Sequence, residues 1–260
     1  MPSLDPTNIL TFLQSLPAEV TSVLSFIFCS ASVLLMVRLF GAAGLMVYIP
    51  LAVVAGNLQV LKASNFSFLN EPVALGTVVF TSTFLATDIL TEYYGRSTAQ
   101  KAVWLGFAGA LLMNGFMFLA QAMPPVVAEP GTPHHGFVMA HQAINTLFTP
   151  APALFVASLA AYFISERCDI SLFSLLKAKT KGQALWLRTS VSTLVSGLID
   201  TAIFSILAWI VFAPNPLPWS TVITTYILGT YWMRVIAALA NTPIMYLSRF
   251  CVVRKAHHDV

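Results

Sequence analysis

The feature that most constrains this chain is its succession of long apolar segments. Only 9% of its 260 residues are charged and 57% are hydrophobic, whereas charged residues make up about 25% of an ordinary soluble domain. About 20 consecutive apolar residues suffice for a helix to cross a bilayer. Continuous runs of this kind predict helices rather than the alternating strands of a membrane barrel. The sequence therefore predicts an all-α, polytopic helical membrane bundle, with residues 1–260 forming a single domain.

The apolar runs predict about seven transmembrane helices. They are Val20–Phe40, Ala43–Leu61, Pro72–Tyr94, Ala99–Ala122, Pro152–Ser165, Thr189–Phe212 and Pro218–Phe250. The stretch Pro124–Pro150 is interpreted as a solvated outer loop, although it contains three histidines. No cysteine accompanies those histidines, so no metal site and no cofactor are expected.

Lysine and arginine are distributed unevenly among the connections between these segments. Cytoplasmic loops of multi-pass proteins carry an excess of these residues. One set of connections contains nearly all of them, and Lys62 is the exception in the alternate set. We therefore expect a cytoplasmic (inner) membrane protein with its N-terminus outside and its C-terminus in the cytoplasm. The residues predicted to be cytoplasmic are Arg38, Arg96, Lys101, Arg167, Lys177, Lys179, Lys181, Arg188, Arg249, Arg254 and Lys255.

The third segment ends in the motif FLATDILTEYYG, Phe84–Gly95, which contains two carboxylates one helical turn apart. A charge near the centre of a membrane helix costs about 2.5–3.5 kcal/mol on insertion scales. Asp88 lies in the inner half of the membrane and is a candidate for contact with a polar solute or an ion. Glu92 lies closer to the cytoplasm and is interpreted as a gate or an interfacial ion pair with Arg96 or Lys101.

The sixth and seventh segments each carry one charge near mid-membrane, Asp200 and Arg234. At a rise of 1.5 Å per residue, Asp200 is about 18 Å from the cytoplasmic end of its segment. Opposite charges at similar depth predict an ion pair, made directly or through a solute. The pair could serve only helix packing, but intramembrane charges usually face a cavity.

Enzymatic and nucleic-acid-binding functions are not expected. The histidines lie in loops or in the tail, and no HExxH, glycine-rich phosphate loop or comparable motif occurs. The basic residues are accounted for by membrane topology, so they do not indicate a nucleic-acid partner. Movement of a solute across the lipid bilayer is the function that these residues favour.

Five ordered blocks of the chain resemble the queuosine-precursor transporters, which are also grouped as vitamin-uptake-type transporters. The shortest members of that family have six helices, so the resemblance implies a six-helix core plus an extra N-terminal helix in this chain. Some members carry Lys where Arg234 stands. The blocks are FGAAGLMVYIPLAVVAGNLQVLK (Phe40–Lys62), FLATDILTEYYG continued by KAVWLGF from Lys101, SLAAYFISERCDISLFSLLKAKTKGQALWLR (Ser158–Arg188), STLVSGLIDTAIFSILAW (Ser192–Trp209) and YWMRVIAALANTP (Tyr231–Pro243).

The resemblance implies uptake of 7-deazaguanine bases, such as 7-cyano-7-deazaguanine or its aminomethyl analogue, by alternating access. The donor edge of such a base suits a carboxylate, Asp88 or Asp200, and its carbonyl oxygen suits Arg234 or Asn57. The full set of expected substrate-binding residues is Asn57, Phe80, Asp88, Glu92, Ser196, Asp200, Arg234 and Asn241.

The energy source and the partners stay open at this stage. The chain could be a proton- or sodium-driven symporter, a facilitator, or a substrate-binding subunit that requires a separate ATPase module. A homo-oligomer is also compatible with the sequence. The solute could instead be another purine-like or vitamin-like molecule, and a structural subunit or membrane-embedded enzyme is the alternative of a different class.

Overall fold

The computed structural model describes residues 6–67, 73–148 and 152–252, and these are predominantly helical. Two helices contain π-helical segments, which we call π1 and π2. The elements in chain order are α1 (Pro6–Ser15), α2 (Ala18–Gln59), β1 (Ala63–Ser64), β2 (Val73–Ala74), α3 (Thr77–Tyr93), α4 (Arg96–Ala122), α5 (His135–Phe148), α6 (Pro152–Lys179), α7 (Leu185–Ile206), π1 (Leu207–Val211), α8 (Trp219–Thr221), π2 (Val222–Gly229) and α9 (Thr230–Cys251).

Helix α2 consists of two antiparallel halves. At Gly41 the backbone has φ 60° and ψ −139°, a combination that is close to glycine-specific. The side chains of Cys29 and Tyr48 are hydrogen-bonded to each other, although a straight helix would separate them by about 28 Å. The chain therefore reverses direction at Gly41, and α2 supplies the first two predicted membrane segments.

The described residues contain four helices long and apolar enough to cross a membrane. These are α2, α4, α7 with π1, and the run from α8 to α9. The reversal within α2 corresponds to the first two predicted segments, and α3 and α6 lie at the positions of the third and fifth predicted segments. The predicted all-α polytopic bundle is confirmed.

Helix α3 occupies the centre of the bundle. It packs against α2, α4, α6 and α9, and its residues from Val79 to Thr91 are buried. The motif FLATDILTEYYG thus lies at the intersection of several helices rather than on a lipid-facing surface. Pro72, where this helix was expected to begin, lies outside the described residues, and the described helix begins at Thr77.

The predicted end of the fifth segment at Ser165 is wrong. Helix α6 continues to Lys179, because Glu166 and Asp169 do not terminate it. Both side chains are fully buried and face the bundle interior, while the helical hydrogen bonds run on through the charged residues. This extension adds two carboxyl groups to the interior that the apolar pattern alone did not place there.

The stretch Pro124–Pro150, which was interpreted as a solvated outer loop, contains a helix. Residues His135–Phe148 form helix α5, in which no described residue is buried. Its His141 ring makes a hydrogen-bonding contact of 2.9 Å with the Asn145 amide nitrogen. The helix therefore lies on the periphery of the bundle.

Basic residues of the described chain collect at one end of the bundle, which we call the basic end. Arg96 donates to Ser171 at 3.0 Å, and Arg38 donates to the carbonyl of Phe250 at 3.2 Å. The opposite end carries the β1–β2 pair, in which Ala63 is opposite Ala74. Arg254 and Lys255 lie outside the described residues. The two ends of the bundle thus differ clearly in charge.

Candidate functional site

A cavity of about 490 Å³ lies between the end of α2, the β1–β2 pair and helices α3, α6, α7 and α9. Segments π1 and π2 also line it. It occupies the half of the bundle away from the basic end, since its lining includes the first residues after α2 and the strand β2. Its charged and aromatic lining residues are Phe80, Asp200, Phe204, Trp209, Tyr226 and Arg234.

The central polar feature of the cavity is an ion pair between Asp200 on α7 and Arg234 on α9. Arg234 Nη2 lies 2.5 Å from Asp200 Oδ2, and Ser165 of α6 donates to Asp200 Oδ1 at 3.1 Å. The two charged side chains are 11% and 15% exposed. The pairing predicted from their similar depth is confirmed. Because both groups line a cavity, they can also present charge to a bound molecule.

Aromatic rings form another part of the wall. The rings of Trp209 and Tyr226 have centroids 4.9 Å apart. Phe80 packs directly against Gly56, where an added Cβ would come within 2.9 Å of the ring. A flat molecule could stack on such rings while the Asp200–Arg234 pair contacts its polar edge.

The two π-helical segments meet the cavity from adjacent helices. In π1 the amide of Phe212 donates to the carbonyl of Leu207 at 2.9 Å, five residues earlier. Where π2 meets α9, the Thr230 hydroxyl donates to the carbonyl of Tyr226 at 2.5 Å. π-helical turns are frequent at functional sites because the wider turn leaves carbonyl groups and side chains in unusual positions. Here they shape the wall that contains Trp209 and Tyr226.

Three other predicted site residues lie outside this cavity. Asn57 lines a smaller neighbouring cavity of about 220 Å³, and its amide donates to the carbonyl of Val53 at 2.9 Å. Ser196 donates to Asp169 at 2.9 Å. Asn241 donates to the carbonyl of Thr81 at 3.1 Å and so joins α9 to α3. The structure thus brings together Phe80, Asp200 and Arg234 from the predicted set.

Asp88 also lies outside the cavity lining, deeper in the bundle. Its side chain is 1% exposed and contacts Asp169 on α6. Asp169 and its neighbour Glu166 were missed by the sequence reasoning, which ended the helix before them. In the run ISERCDIS these two residues are three positions apart, which places both on one helical face. This spacing was the sequence signal that could have identified them as a pair.

Glu92 forms an ion-pair cluster at the basic end. Its carboxylate lies 2.7 Å from Arg188 Nη2 and 3.2 Å from Lys177 Nζ. The expected interfacial ion pair is therefore present, but its partners come from α6 and α7 rather than from Arg96 or Lys101. This cluster joins the ends of α3, α6 and α7 and closes the bundle at the basic end.

Comparison with known proteins identifies the family to which this chain belongs. Residues 74–248 match the family model described as "Putative vitamin uptake transporter". The chain is 33% identical over 218 residues to a protein from Bacillus subtilis (strain 168) described as "Probable queuosine precursor transporter". That alignment covers 84% of this chain and 88% of the relative. The chain belongs to this family of membrane transporters.

The family region of the transporter contains the Asp200–Arg234 pair, the buried carboxyl groups of α3 and α6, and the Glu92 cluster. The similarity to the Bacillus subtilis protein covers nearly the same length of both chains, so the transporter is matched as a whole and not through one segment. No solved structure matches it significantly. We therefore interpret the cavity in terms of transport.

Proposed function

We propose that this transporter takes up 7-deazaguanine bases, such as 7-cyano-7-deazaguanine, across the cytoplasmic membrane by alternating access. The similarity to the probable queuosine precursor transporter of Bacillus subtilis supports the solute class. The observation that carries the proposal is the Asp200–Arg234 ion pair in a cavity of about 490 Å³. This volume lies within the range of about 300–1,000 Å³ that is typical of small-molecule sites.

The cavity chemistry suits the hydrogen-bonding edge of a guanine-like base. The adjacent N–H groups of that edge can both donate to a carboxylate, which Asp200 supplies. Its carbonyl oxygen can accept from a guanidinium, which carries five donors and is supplied by Arg234. Phe80 and the Trp209–Tyr226 pair offer apolar faces for the bicyclic ring. Each part of the base therefore has a counterpart in the wall.

The distribution of charge supports an outward-facing conformation. Under the positive-inside rule the basic end faces the cytoplasm, with the N-terminus outside and the C-terminus inside. The cavity lies in the outer half, and the Glu92–Arg188–Lys177 cluster closes the cytoplasmic half. Alternating access then requires that this cluster separate while the outer half closes around the base.

The proposal is tested with purified protein in liposomes and radiolabelled 7-cyano-7-deazaguanine. Wild-type protein should bind the base and exchange it across the membrane. Asp200→Asn and Arg234→Gln should each weaken binding by about 10- to 100-fold, because each leaves its partner charge uncompensated and removes one contact to the base. Unlabelled guanine, queuine and the aminomethyl analogue serve as competitors to define the solute.

Glu129→Gln is the matched control, since Glu129 is an exposed carboxylate that does not line the cavity. It should bind the base like the wild type. If wild-type protein neither binds nor exchanges any of these bases, the proposed solute class is wrong. If it binds them but exchanges them only with an added ATPase module, the chain is a substrate-binding subunit.

A further inference from the structure

A group of buried carboxyl groups lies between the cavity and the basic end. Asp88 of α3 and Glu166 and Asp169 of α6 are each 0–1% exposed. Asp200 lies on the cavity side of this group, and Glu92 lies on the side of the basic end, one helical turn after Asp88. The solute site and the cytoplasmic ion-pair cluster are thus connected by a series of acidic side chains.

The contact between Asp88 and Asp169 differs from the other carboxyl contacts. The two carboxyl groups contact each other, and Ser196 donates to Asp169 Oδ1 at 2.9 Å. No described donor reaches Asp169 Oδ2 or either oxygen of Asp88. A fully buried carboxylate without a donor is costly. Two carboxyl groups in contact relieve this cost by holding one proton between them, as paired acids do elsewhere.

Glu166 has a different environment, because hydroxyl groups satisfy it. Thr83 and Thr87 of α3 donate to its two oxygens at 2.5 and 2.8 Å. It therefore connects α3 to α6 in the present conformation. Titratable and charged groups from several elements surround the Asp88–Asp169 pair. The titratable and charged groups around Asp88 and Asp169 are Glu92, Tyr162, Glu166, Cys168, Lys177, Arg188, Asp200 and Arg234.

We propose that the Asp88–Asp169 pair is the proton-binding site that couples solute uptake to a pH gradient. This inference rests on the proposed function and adds its energy source. The proton enters from the outer cavity and is held by the pair while the base is bound. It leaves to the cytoplasm when the Glu92 cluster separates, and the return of the empty transporter begins with the pair unprotonated.

The neighbouring contacts supply the coupling. Asp200 accepts from Ser165, which immediately precedes Glu166 on α6, so binding of the base at Asp200 acts on the same helix turn that carries Asp169. Toward the basic end, Asp88 and Glu92 lie on one face of α3. The pair carries two negative charges without the proton and one with it, so it repels the Glu92 carboxylate less strongly when it is protonated. The protonation state of the Asp88–Asp169 pair thereby changes the stability of the Glu92–Arg188–Lys177 cluster.

A proton fits this site better than a metal cation does. The described residues do not bring three or more His, Cys, Asp or Glu side chains into a metal-binding arrangement. Divalent cations of the Mg²⁺ kind require several oxygen ligands around one centre. Two carboxyl groups in direct contact leave no such centre between them, but they need one proton.

The test measures uptake of labelled 7-cyano-7-deazaguanine into proteoliposomes, with the membrane potential clamped at zero by valinomycin and equal potassium. An outside-acid gradient of one pH unit should drive accumulation of up to about tenfold for one proton per base, since one pH unit is a tenfold ratio. Addition of the base should also acidify the lumen, as reported by trapped pyranine. A sodium gradient should drive no accumulation.

Asp88→Asn and Asp169→Asn should each reduce the ratio of gradient-driven to gradient-free uptake to about one. Glu129→Gln should retain the wild-type ratio. Exchange of the base by wild-type protein without any effect of pH or lumen acidification would overturn the coupling while leaving the proposed function intact. Accumulation driven by sodium would overturn it as well. If the substituted proteins do not fold, base addition without lumen acidification in the wild-type pyranine measurement would still overturn the coupling.

Discussion

At the scale of single residues, Arg188 and Lys177 make unequal contributions to the Glu92 cluster. Arg188 is 2% exposed in its side chain, while Lys177 is 35% exposed. Arg188 also donates to the carbonyl of Gln183 at 2.7 Å, and its guanidinium lies 5.6 Å from the Phe173 ring. A charge this deeply buried depends on its carboxylate partner, whereas an exposed lysine can be solvated instead.

Glu92→Gln should therefore destabilise the folded protein by about 3 kcal/mol, because it leaves the Arg188 charge buried without a counter-charge. Lys177→Gln is the matched control and should cost less than about 1 kcal/mol. Thermal unfolding of the two variants in detergent measures the difference. Equal losses of stability would contradict the assignment of Arg188 as the buried partner.

At the scale of elements, the reversal within α2 depends on two glycines. Gly41 adopts the positive φ at the turn itself. At Gly44 an added Cβ would lie 2.2 Å from the carbonyl oxygen of Met36 and 3.0 Å from Phe40. The first of these contacts is with backbone, which cannot move aside as a flexible side chain can. The two antiparallel halves of α2 approach each other this closely only because position 44 has no side chain.

Gly44→Ala should consequently destabilise the protein by about 1–3 kcal/mol, the range for overpacking a well-packed site. Gly115→Ala is the control, since Gly115 lies exposed within α4 with nothing within 4 Å of an added Cβ. That change should leave stability unchanged or raise it, because alanine is the better helix former. Thermal unfolding in detergent compares the two. A Gly44→Ala variant as stable as Gly115→Ala would show that the halves do not pack as described.

At the scale of the whole molecule, the two ends of the bundle differ in charge and in closure. The basic end is closed by ion pairs across α3, α6 and α7, and the cavity lies toward the opposite end. This asymmetry is what an outward-facing transporter needs, because the solute site must be accessible from one side only.

The orientation is checked by labelling with a membrane-impermeant maleimide in a variant without native cysteines. Thr224→Cys, at an exposed position of the cavity lining, should react in intact cells, and 7-cyano-7-deazaguanine should slow its reaction. Lys179→Cys, exposed at the basic end, should react only after permeabilisation. The reverse pattern would place the basic end outside and contradict the proposed orientation.

Several properties of this protein followed from the sequence because they depend on one segment at a time. The length and apolarity of the runs determine the membrane helices, since backbone groups in lipid must bond within the helix. The separation of basic and non-basic connections determines which ends lie together. The Asp200–Arg234 pair was also predictable, because two isolated charges at similar depth have few alternative partners.

Other properties were decided by the tertiary structure. The sequence alone ended the fifth helix at Ser165, because a charged run is usually hydrated, and only packing against α3 shows that Glu166 and Asp169 are buried. The partners of Glu92 were likewise assigned to its nearest basic neighbours instead of to Lys177 and Arg188. Helix content and depth are local consequences of composition, whereas the contacts of a carboxyl group depend on which helix faces meet, and that is a property of the whole bundle.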